Sequence, residues 1–419
     1  MSIANTVVPL GGSFGRARNA RTDTVLRSRF THNQPIPISE QESGVVVQAQ
    51  TLTWDTKSGW SSPVPEPDDR DTLVLAFADT CIGAHPDQPL QQLSNLYAGK
   101  SVVGCSTAGQ ISGGALADGS LVAVIARFDR TQVLSASVEV DAAGGARRAG
   151  RQLGAALKHA NLRGVFVLSD GLAVNGTSLA TGISEMLPGV PVSGGLAGDG
   201  ERFDTTWVLA DGQPRNRWVT AVGFVGDHVE LDFGSAGGWD IFGPQRLVTR
   251  SYHSTLYELD DRSALALYRE YLGDKADGLP AAALRFPLSL SDLDGHTTVR
   301  AVLATDNGTG SLRFAGDVAQ GSMAQLMCAS SERLVEGAHR AAVMATTGRE
   351  QLAIAVSCVG RRMVLGQRTE EELEAIVEGL APDAVVTGIY SYGALSPTGG
   401  TCELHNQTMT ITTIGERSA

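Results

Sequence analysis

One pattern recurs three times along this chain: a short apolar run, a helix, a second apolar run and a glycine-rich turn. The copies occupy residues 73–109, 165–198 and 352–393. Short apolar runs bounded by turn residues predict buried strands. Strand–helix–strand alternation is typical of a largely parallel sheet with covering helices. The sequence therefore predicts an α/β fold built from repeated strand–helix–strand units.

The turns support the repeat interpretation. Residues 104–109 read Gly-x-x-Thr-x-Gly, and residues 388–393 read Gly-x-x-Ser-x-Gly, whereas the middle turn at 193–198 keeps only its Ala-Gly ending. In the third copy, Thr369 is followed three residues later by Glu372, which predicts a capping box at the start of the helix.

Further strands are longer and partly alternating, which predicts antiparallel additions and a mixed sheet. They are expected at residues 121–128, 218–225, 299–305 and 408–414. Asp306-Asn-Gly308 indicates a hairpin turn. Further helices are expected at residues 144–159, 263–272 and 332–346.

A boundary near residues 256–262 divides the chain into two fused subdomains, because two copies precede it and one follows. We expect a flexible tail at residues 1–43, a first domain at 44–260 and a second at 261–419. The tail carries five arginines without an apolar segment, so it is not typical of a secretory signal.

Composition excludes several classes of protein. The net charge of -12 over 419 residues makes nucleic-acid binding unexpected, and the lack of a long apolar stretch argues against a membrane span. The five cysteines are widely spaced and form no Cys-x-x-Cys. This spacing fits a reducing cytoplasm, where we expect the protein to reside.

The glycine turns are candidate ligand sites, because glycine lets backbone N–H groups approach a ligand closely and ligands bind beyond the carboxyl ends of strands. No turn has the P-loop or dinucleotide-binding pattern. Asp170 and Asp199 follow strands beside glycines and could bind an amine or cap a helix.

Cys105 and two histidines are the remaining candidates. Cys105 lies in a turn that could present a nucleophile, or it is a small buried thiol. His405 could bind a metal or haem iron, contact an acidic ligand or satisfy a core network. His253 lies near Trp239, Tyr252 and Tyr257, which could form an aromatic wall for a flat ligand.

Three segments resemble the FIST (F-box and intracellular signal transduction) family. Residues 103–111 resemble the hallmark of its N-terminal domain, and residues 192–199 resemble the second glycine segment of that domain. Residues 390–396 together with 403–408 resemble the end of its C-terminal domain. Gln110 and Ala394 stand where many members carry an acidic residue.

The resemblance implies a stand-alone sensory protein, with residues 44–260 and 261–419 as its FIST N-terminal and C-terminal domains. It implies a small ligand, either haem for nitric-oxide sensing or an amino acid, and output in trans to a histidine kinase or a cyclic-di-nucleotide enzyme. An enzyme using Cys105 in acyl transfer or hydrolysis is the alternative.

If haem binds, His405 or His253 is expected to hold its iron. The residues expected to contact the ligand are Gly104, Cys105, Ser106, Thr107, Gly109, Asp170, Gly194, Gly195, Gly198, Asp199, Tyr390, Tyr392, Gly393, His405, Asn406 and Gln407.

Overall fold

The computed structural model describes residues 47–417 apart from Pro86, Pro280, Leu293 and Asp294, so the tail predicted at 1–43 lies outside the described residues. The strands are β1 Gln48–Asp55, β2 Gly59–Trp60, β3 Asp71–Ala78, β4 Ser101–Ser106, β5 Gln110–Ser112, β6 Ala115–Ala117, β7 Leu121–Phe128, β8 Gln132–Glu139, β9 Leu162–Ser169, β10 Val192–Leu196, β11 Val208–Ala210, β12 Gln213–Arg215, β13 Trp218–Val225, β14 Val229–Ala236, β15 Asp240–Tyr252, β16 Thr255–Leu259, β17 Arg262–Ser263, β18 Leu288–Ser291, β19 Thr297–Arg300, β20 Val302–Asp306, β21 Ser311–Phe314, β22 Met323–Cys328, β23 Leu352–Cys358, β24 Val385–Ser391, β25 Gly393–Thr398, β26 Thr401–His405 and β27 Met409–Glu416. The helices are α1 Pro89–Leu96, α2 Val140–Ala143, α3 Ala146–Leu157, α4 Gly176–Met186, α5 Ala264–Leu272, α6 Ser331–Ala345, α7 Val359–Leu365 and α8 Thr369–Glu378.

The α/β class with mixed sheets is confirmed, since helices make up 26% and strands 43% of the structure. In the described part of the chain, no helix combines the length and the apolar character that crossing a bilayer requires. The strand expected at 299–305 is divided at Ala301 into β19 and β20. The hairpin at Asp306 is confirmed, because β20 and β21 pair around it and its carboxylate accepts a hydrogen bond of 2.8 Å from the Gly308 N–H.

Each copy of the sequence pattern forms a structural repeat, and the order of strands and helices along the chain is the same in all three repeats. An outer strand and a first inner strand are followed by a helix, a second inner strand, a two-stranded hairpin and a return strand. The main elements are β1, β3, α1, β4, β5–β6 and β7 in the first repeat, β8, β9, α4, β10, β11–β12 and β13 in the second, and β14, β23, α8, β24, β25–β26 and β27 in the third. The two inner strands are parallel in every repeat. The return strand is antiparallel to the first inner strand, as the long alternating segments predicted.

The hairpins are exchanged between the repeats. The first repeat's β5 pairs with β24 of the third, the third repeat's β25 pairs with β10 of the second, and the second repeat's β11 pairs with β4 of the first. Every repeat sheet therefore contains strands from two repeats, and the exchange forms a closed cycle.

The third repeat carries a large insertion between β14 and α6. Strands β15 to β22 form a separate antiparallel sheet with α5 packed against it, and this inserted sheet has its own apolar core. The insertion adds a second wall beside the repeats, and a cavity lies between the two.

One glycine recurs at the same place in all three second inner strands. A Cβ atom at Gly104, Gly194 or Gly388 would lie 2.0, 1.9 or 1.9 Å from the carbonyl oxygen of its partner residue on the first inner strand. Real Cβ atoms essentially never come closer than 3.0 Å to such an atom. These three positions therefore require glycine for strand packing, whether or not a ligand is bound.

The capping box predicted at α8 is wrong. Arg368 precedes the helix as its N-cap residue, and the Thr369 hydroxyl donates to the Gly366 carbonyl at 2.7 Å. Glu372 points into the core, where its carboxylate lies 2.6 Å from the guanidinium of Arg361 and accepts a hydrogen bond of 2.6 Å from the Tyr390 hydroxyl. A buried cation thus competes successfully for the carboxylate that the local sequence pattern assigned to the helix end.

Candidate functional site

The three glycine turns meet at the centre of the exchanged repeats. The Ala108 N–H donates to the Tyr390 carbonyl at 2.8 Å, which joins the first turn to the third. The Gly198 N–H donates to the Ser106 carbonyl at 3.0 Å, which joins the second to the first. The turns that the sequence singled out are therefore neighbours, although they lie far apart along the chain.

Asp199 organises the loop that follows the second turn. Its carboxylate accepts hydrogen bonds from the backbone N–H groups of residues 203–205, at 2.8–2.9 Å, and from the Tyr392 hydroxyl. Although burial raises the pKa of Asp199, these hydrogen bonds outweigh burial and hold the pKa below its usual value. The Phe203 ring stacks on Tyr392 with 4.7 Å between ring centres. Asp199 thus fixes the loop through a carboxylate with four donors.

Asp170 has a similar structural environment. Its carboxylate accepts from the backbone N–H groups of Leu172 at 2.9 Å and Ala173 at 3.0 Å, and from Arg217 at 2.6 Å. The Thr206 hydroxyl adds a fourth donor at 2.8 Å. These bonds hold the loop after β9 rather than the end of a helix.

A central cleft of about 490 Å³ opens on one side of the turns. Its walls include residues 107–109 of the first turn, residues 200–202, and parts of α7. The charged side chains of the cleft have both signs: Asp79, Asp118, Glu201, Arg202 and Arg362. Arg362 lies 3.0 Å from the Asp118 carboxylate, and Arg202 lies 3.7 Å from that of Asp79.

A lateral cavity of about 530 Å³ lies between the repeats and the inserted sheet. Its walls are mainly apolar: Leu172, Ala173, Val174, Leu196, Phe203, Leu284, Ala301, Leu303, Phe314, Ala315, Cys358, Val359 and Tyr392. The loop at 200–203 separates the two spaces, since Arg202 faces the central cleft and Phe203 the lateral cavity.

Comparison with family models identifies both halves of this architecture. The FIST N domain model matches residues 72–262, and the FIST C domain model matches residues 264–397. The chain belongs to the FIST family. FIST domains are signal-transduction sensory domains, so the chain has a sensory role. No curated protein matches the chain.

The boundary between the two FIST models falls inside the inserted sheet, at β17. The domain limits expected at 44–260 and 261–419 remain a prediction. The segment at residues 403–408, which contributed to the resemblance, lies beyond the matched residues.

Cys105 of this FIST protein lies in the core. Its side chain is fully buried in the apolar cluster that also contains Phe77 and Val208, and burial raises the pKa of its thiol. A raised pKa keeps the sulfur protonated and weakly nucleophilic. This environment favours the interpretation of Cys105 as a small buried thiol over its interpretation as a catalytic nucleophile.

Asn406 stabilises the third repeat's own turn, and Gln407 joins that repeat to the insertion. The Asn406 side chain donates to the Tyr392 carbonyl at 3.3 Å, and the Gln407 side chain donates to the Leu284 carbonyl of the insertion at 2.9 Å. Both side chains are fully buried. Gln407 has a positive φ of 62°, and its carbonyl accepts from the Trp239 indole at 2.7 Å. Trp239 therefore stabilises the junction at Gln407 between the third repeat and the insertion.

His405 lies beside that junction and lines neither the central cleft nor the lateral cavity. Its Nε2 atom is 3.2 Å from the Thr398 hydroxyl and 3.9 Å from the Glu403 carboxylate. Burial, followed by the positive charges of Arg300 and His296, lowers the pKa of His405 to about 4.

We expect His405→Asn to reduce the acid sensitivity of folding. An unfolded histidine has a pKa near 6.5, so as the pH falls below 6.5 the unfolded chain takes up a proton that folded His405 accepts only near pH 4. Between pH 7.5 and 5, the wild type should therefore lose about 1–2 kcal/mol more stability than the variant. Urea unfolding at both pH values measures this. His159→Asn, at an exposed histidine, is the control, and equal pH slopes for His405→Asn and wild type would contradict the expectation.

The residues present do not fit a buried haem held by either predicted histidine. His405 is enclosed by the side chains described above, and His253 is solvent-exposed with its ring 4.4 Å from that of Tyr252. His253 does line a third cavity of about 440 Å³, but Arg300 and Asp317 also line it, whereas a haem pocket is mainly apolar. Within the described residues, no group of three or more His, Cys, Asp or Glu side chains is placed to hold a metal ion.

Proposed function

We propose that this FIST protein is a sensor for a small zwitterion, most simply a free amino acid, which binds in the central cleft. The observation that carries the proposal is the presence of both charge signs around one space next to the glycine turns. A zwitterion needs a cation for its carboxylate and an acid for its ammonium group, and these pairings are strongest where water is partly excluded.

Four of the five charged side chains of the cleft already pair with one another. Arg362 contacts Asp118, and Arg202 contacts Asp79. An amino acid that exchanged these contacts for its own carboxylate and ammonium would keep these four charges paired. It would also connect α7 to the loop at 200–202, which gives ligand binding a mechanical consequence. A ligand can shift a conformational equilibrium only through such differential contacts.

We further propose that the output acts in trans on a histidine kinase or a cyclic-di-nucleotide enzyme. The sensory class of FIST domains and the resemblance described above support this partner class. A ligand that reorients α7 or the loop at 200–202 would alter the surface around the cleft, which such a partner could recognise.

The test is a thermal-shift screen of free amino acids followed by calorimetry of the best ligand. Saturation at about 100 times Kd should raise stability by about 2.7 kcal/mol. Arg362→Gln should weaken binding about tenfold or more, because one charge-assisted contact is lost. Arg340→Gln, at an exposed arginine on α6 that pairs with Glu336, is the matched control and should bind normally.

Derivatives of the ligand test the zwitterion itself. The N-acetyl form lacks the ammonium charge and the primary amide lacks the carboxylate, so both should bind more weakly than the parent. A screen in which no amino acid stabilises the protein, or in which the derivatives bind as well as the parent, would reject the proposal. A spectrum of protein prepared with haem, showing a stoichiometric Soret band, would instead favour the haem branch.

A further inference from the structure

The lateral cavity has a charge distribution unlike that of the central cleft. Arg313 is the only charged residue among the described residues that line it. Most other lining side chains are aliphatic or aromatic, including Phe203, Phe314 and Leu303. The cavity thus combines a large apolar wall with one positive charge, and no carboxylate of its lining balances that charge.

In the part of the chain that the structure describes, Arg313 also lacks a partner. Among the described residues, its side chain forms no ion pair and donates no hydrogen bond, whereas the exposed Arg250 pairs with Glu258 and the exposed Arg269 donates to Asn307. The other polar groups of the cavity are largely occupied. Asn175 donates to Asp317 at 3.0 Å and accepts from the Ser178 N–H at 2.8 Å, and the Tyr392 hydroxyl donates to Asp199.

We infer that the lateral cavity is a second ligand site, which takes an apolar molecule carrying a single carboxylate. The apolar body would displace water from the aliphatic and aromatic walls, and the carboxylate would pair with the planar guanidinium of Arg313 in two parallel hydrogen bonds. A zwitterion is a poor occupant, because its ammonium group would lose water without gaining an acid. The inference rests on the lateral cavity alone and is independent of the amino-acid site.

The volume of the lateral cavity favours a ligand whose apolar part is of moderate length. The volume of about 530 Å³ accommodates a medium-chain fatty acid or an arylalkyl carboxylate. The Phe203 ring, stacked on Tyr392, forms part of the wall. A bound chain would therefore contact the same loop that borders the central cleft.

The experiment compares octanoate with octanamide by calorimetry on the full chain. Octanoate should bind, and octanamide, which has the same apolar chain without the charge, should bind about tenfold more weakly or worse. In Arg313→Gln, octanoate should lose about tenfold in affinity while octanamide is unchanged. Arg313 is exposed, so this variant is expected to fold normally, and Arg340→Gln is again the control.

A variant whose side chain fills the lateral cavity tests whether octanoate binds there. Leu303 lines the cavity and is 38% exposed, so Leu303→Trp can occupy the space without disturbing the core. It should abolish octanoate binding and leave amino-acid binding in the central cleft intact. Equal affinity for octanoate and octanamide, unchanged binding in Arg313→Gln, or binding that persists in Leu303→Trp would overturn the inference.

Discussion

Gly388→Ala is expected to remove the stable fold, or at least to lower the free energy of unfolding by about 3 kcal/mol or more. The new methyl group would lie 1.9 Å from the Ala355 carbonyl oxygen. That oxygen belongs to the parallel pair of β23 and β24, so neither strand can move away without breaking its ladder. Circular dichroism and urea unfolding measure the loss.

The equivalent glycine of another repeat and a glycine whose surroundings can accept a Cβ atom provide comparisons for this experiment. Gly194→Ala should be as damaging, because its methyl would lie 1.9 Å from the Val167 carbonyl and its φ of 147° disfavours a side chain. Gly114→Ala is the matched control, since its nearest neighbour would be 3.7 Å away, in ordinary contact. We expect that variant within about 0.5 kcal/mol of wild type. If Gly388→Ala proved as stable as wild type, β23 and β24 would have to be spaced differently from the structure described above.

Glu372→Gln should lower the free energy of unfolding by about 3–5 kcal/mol, because it leaves the buried guanidinium of Arg361 without its counter-charge. Both side chains are fully buried. The carboxylate also accepts from the Tyr390 hydroxyl at 2.6 Å and the Ser357 hydroxyl at 3.1 Å. Tyr390 therefore depends on the same carboxylate, and burial followed by the charge of Glu372 raises its pKa well above the usual value. Urea unfolding at pH 7 measures the effect.

A double-mutant cycle separates the ion pair from the rest of the network. Arg361→Met combined with Glu372→Leu should lose less stability than the sum of the two single changes, since no unpaired charge remains. The exposed pair of Arg340 and Glu336 is the control, and breaking it should cost only a few tenths of a kcal/mol. Additive losses in the buried cycle would mean that the two charges do not interact.

The sequence predicted the repeated units because they depend on local patterns. Apolar runs, helical spacing and glycine turns are visible within about 40 residues, and the structure confirms the parallel inner strands and the antiparallel return strands. The exchange of hairpins could not be predicted from local patterns, because pairing partners such as β5 and β24 lie far apart in sequence. The capping box failed for a different reason: Arg361 and Glu372 are only 11 residues apart, but the burial that pairs their charges is a property of the folded chain.

The sequence pointed to the three glycine turns but not to the charges around them, and the predicted ligand contacts remain a prediction. The three turns do meet, but Gly104, Gly194 and Gly388 are explained by the carbonyls opposite them. Arg362, Asp118 and Arg313 gave no signal, because a single charged residue resembles any solvated surface position. Only the folded chain brings Arg362 beside the first turn, where its guanidinium also contacts the Ala108 carbonyl.

The exchanged hairpins also bear on how the FIST N and FIST C halves depend on each other. Cutting the chain between them would remove β25 and β26 from β10, and would deprive β5 of its partner β24. Each half would then carry bare strand edges that can recruit other chains. Nascent chains face the same situation, because the second repeat's sheet is completed only when the last hairpin, β25–β26, has been synthesised. Repeats joined in this way depend on one another for complete sheets.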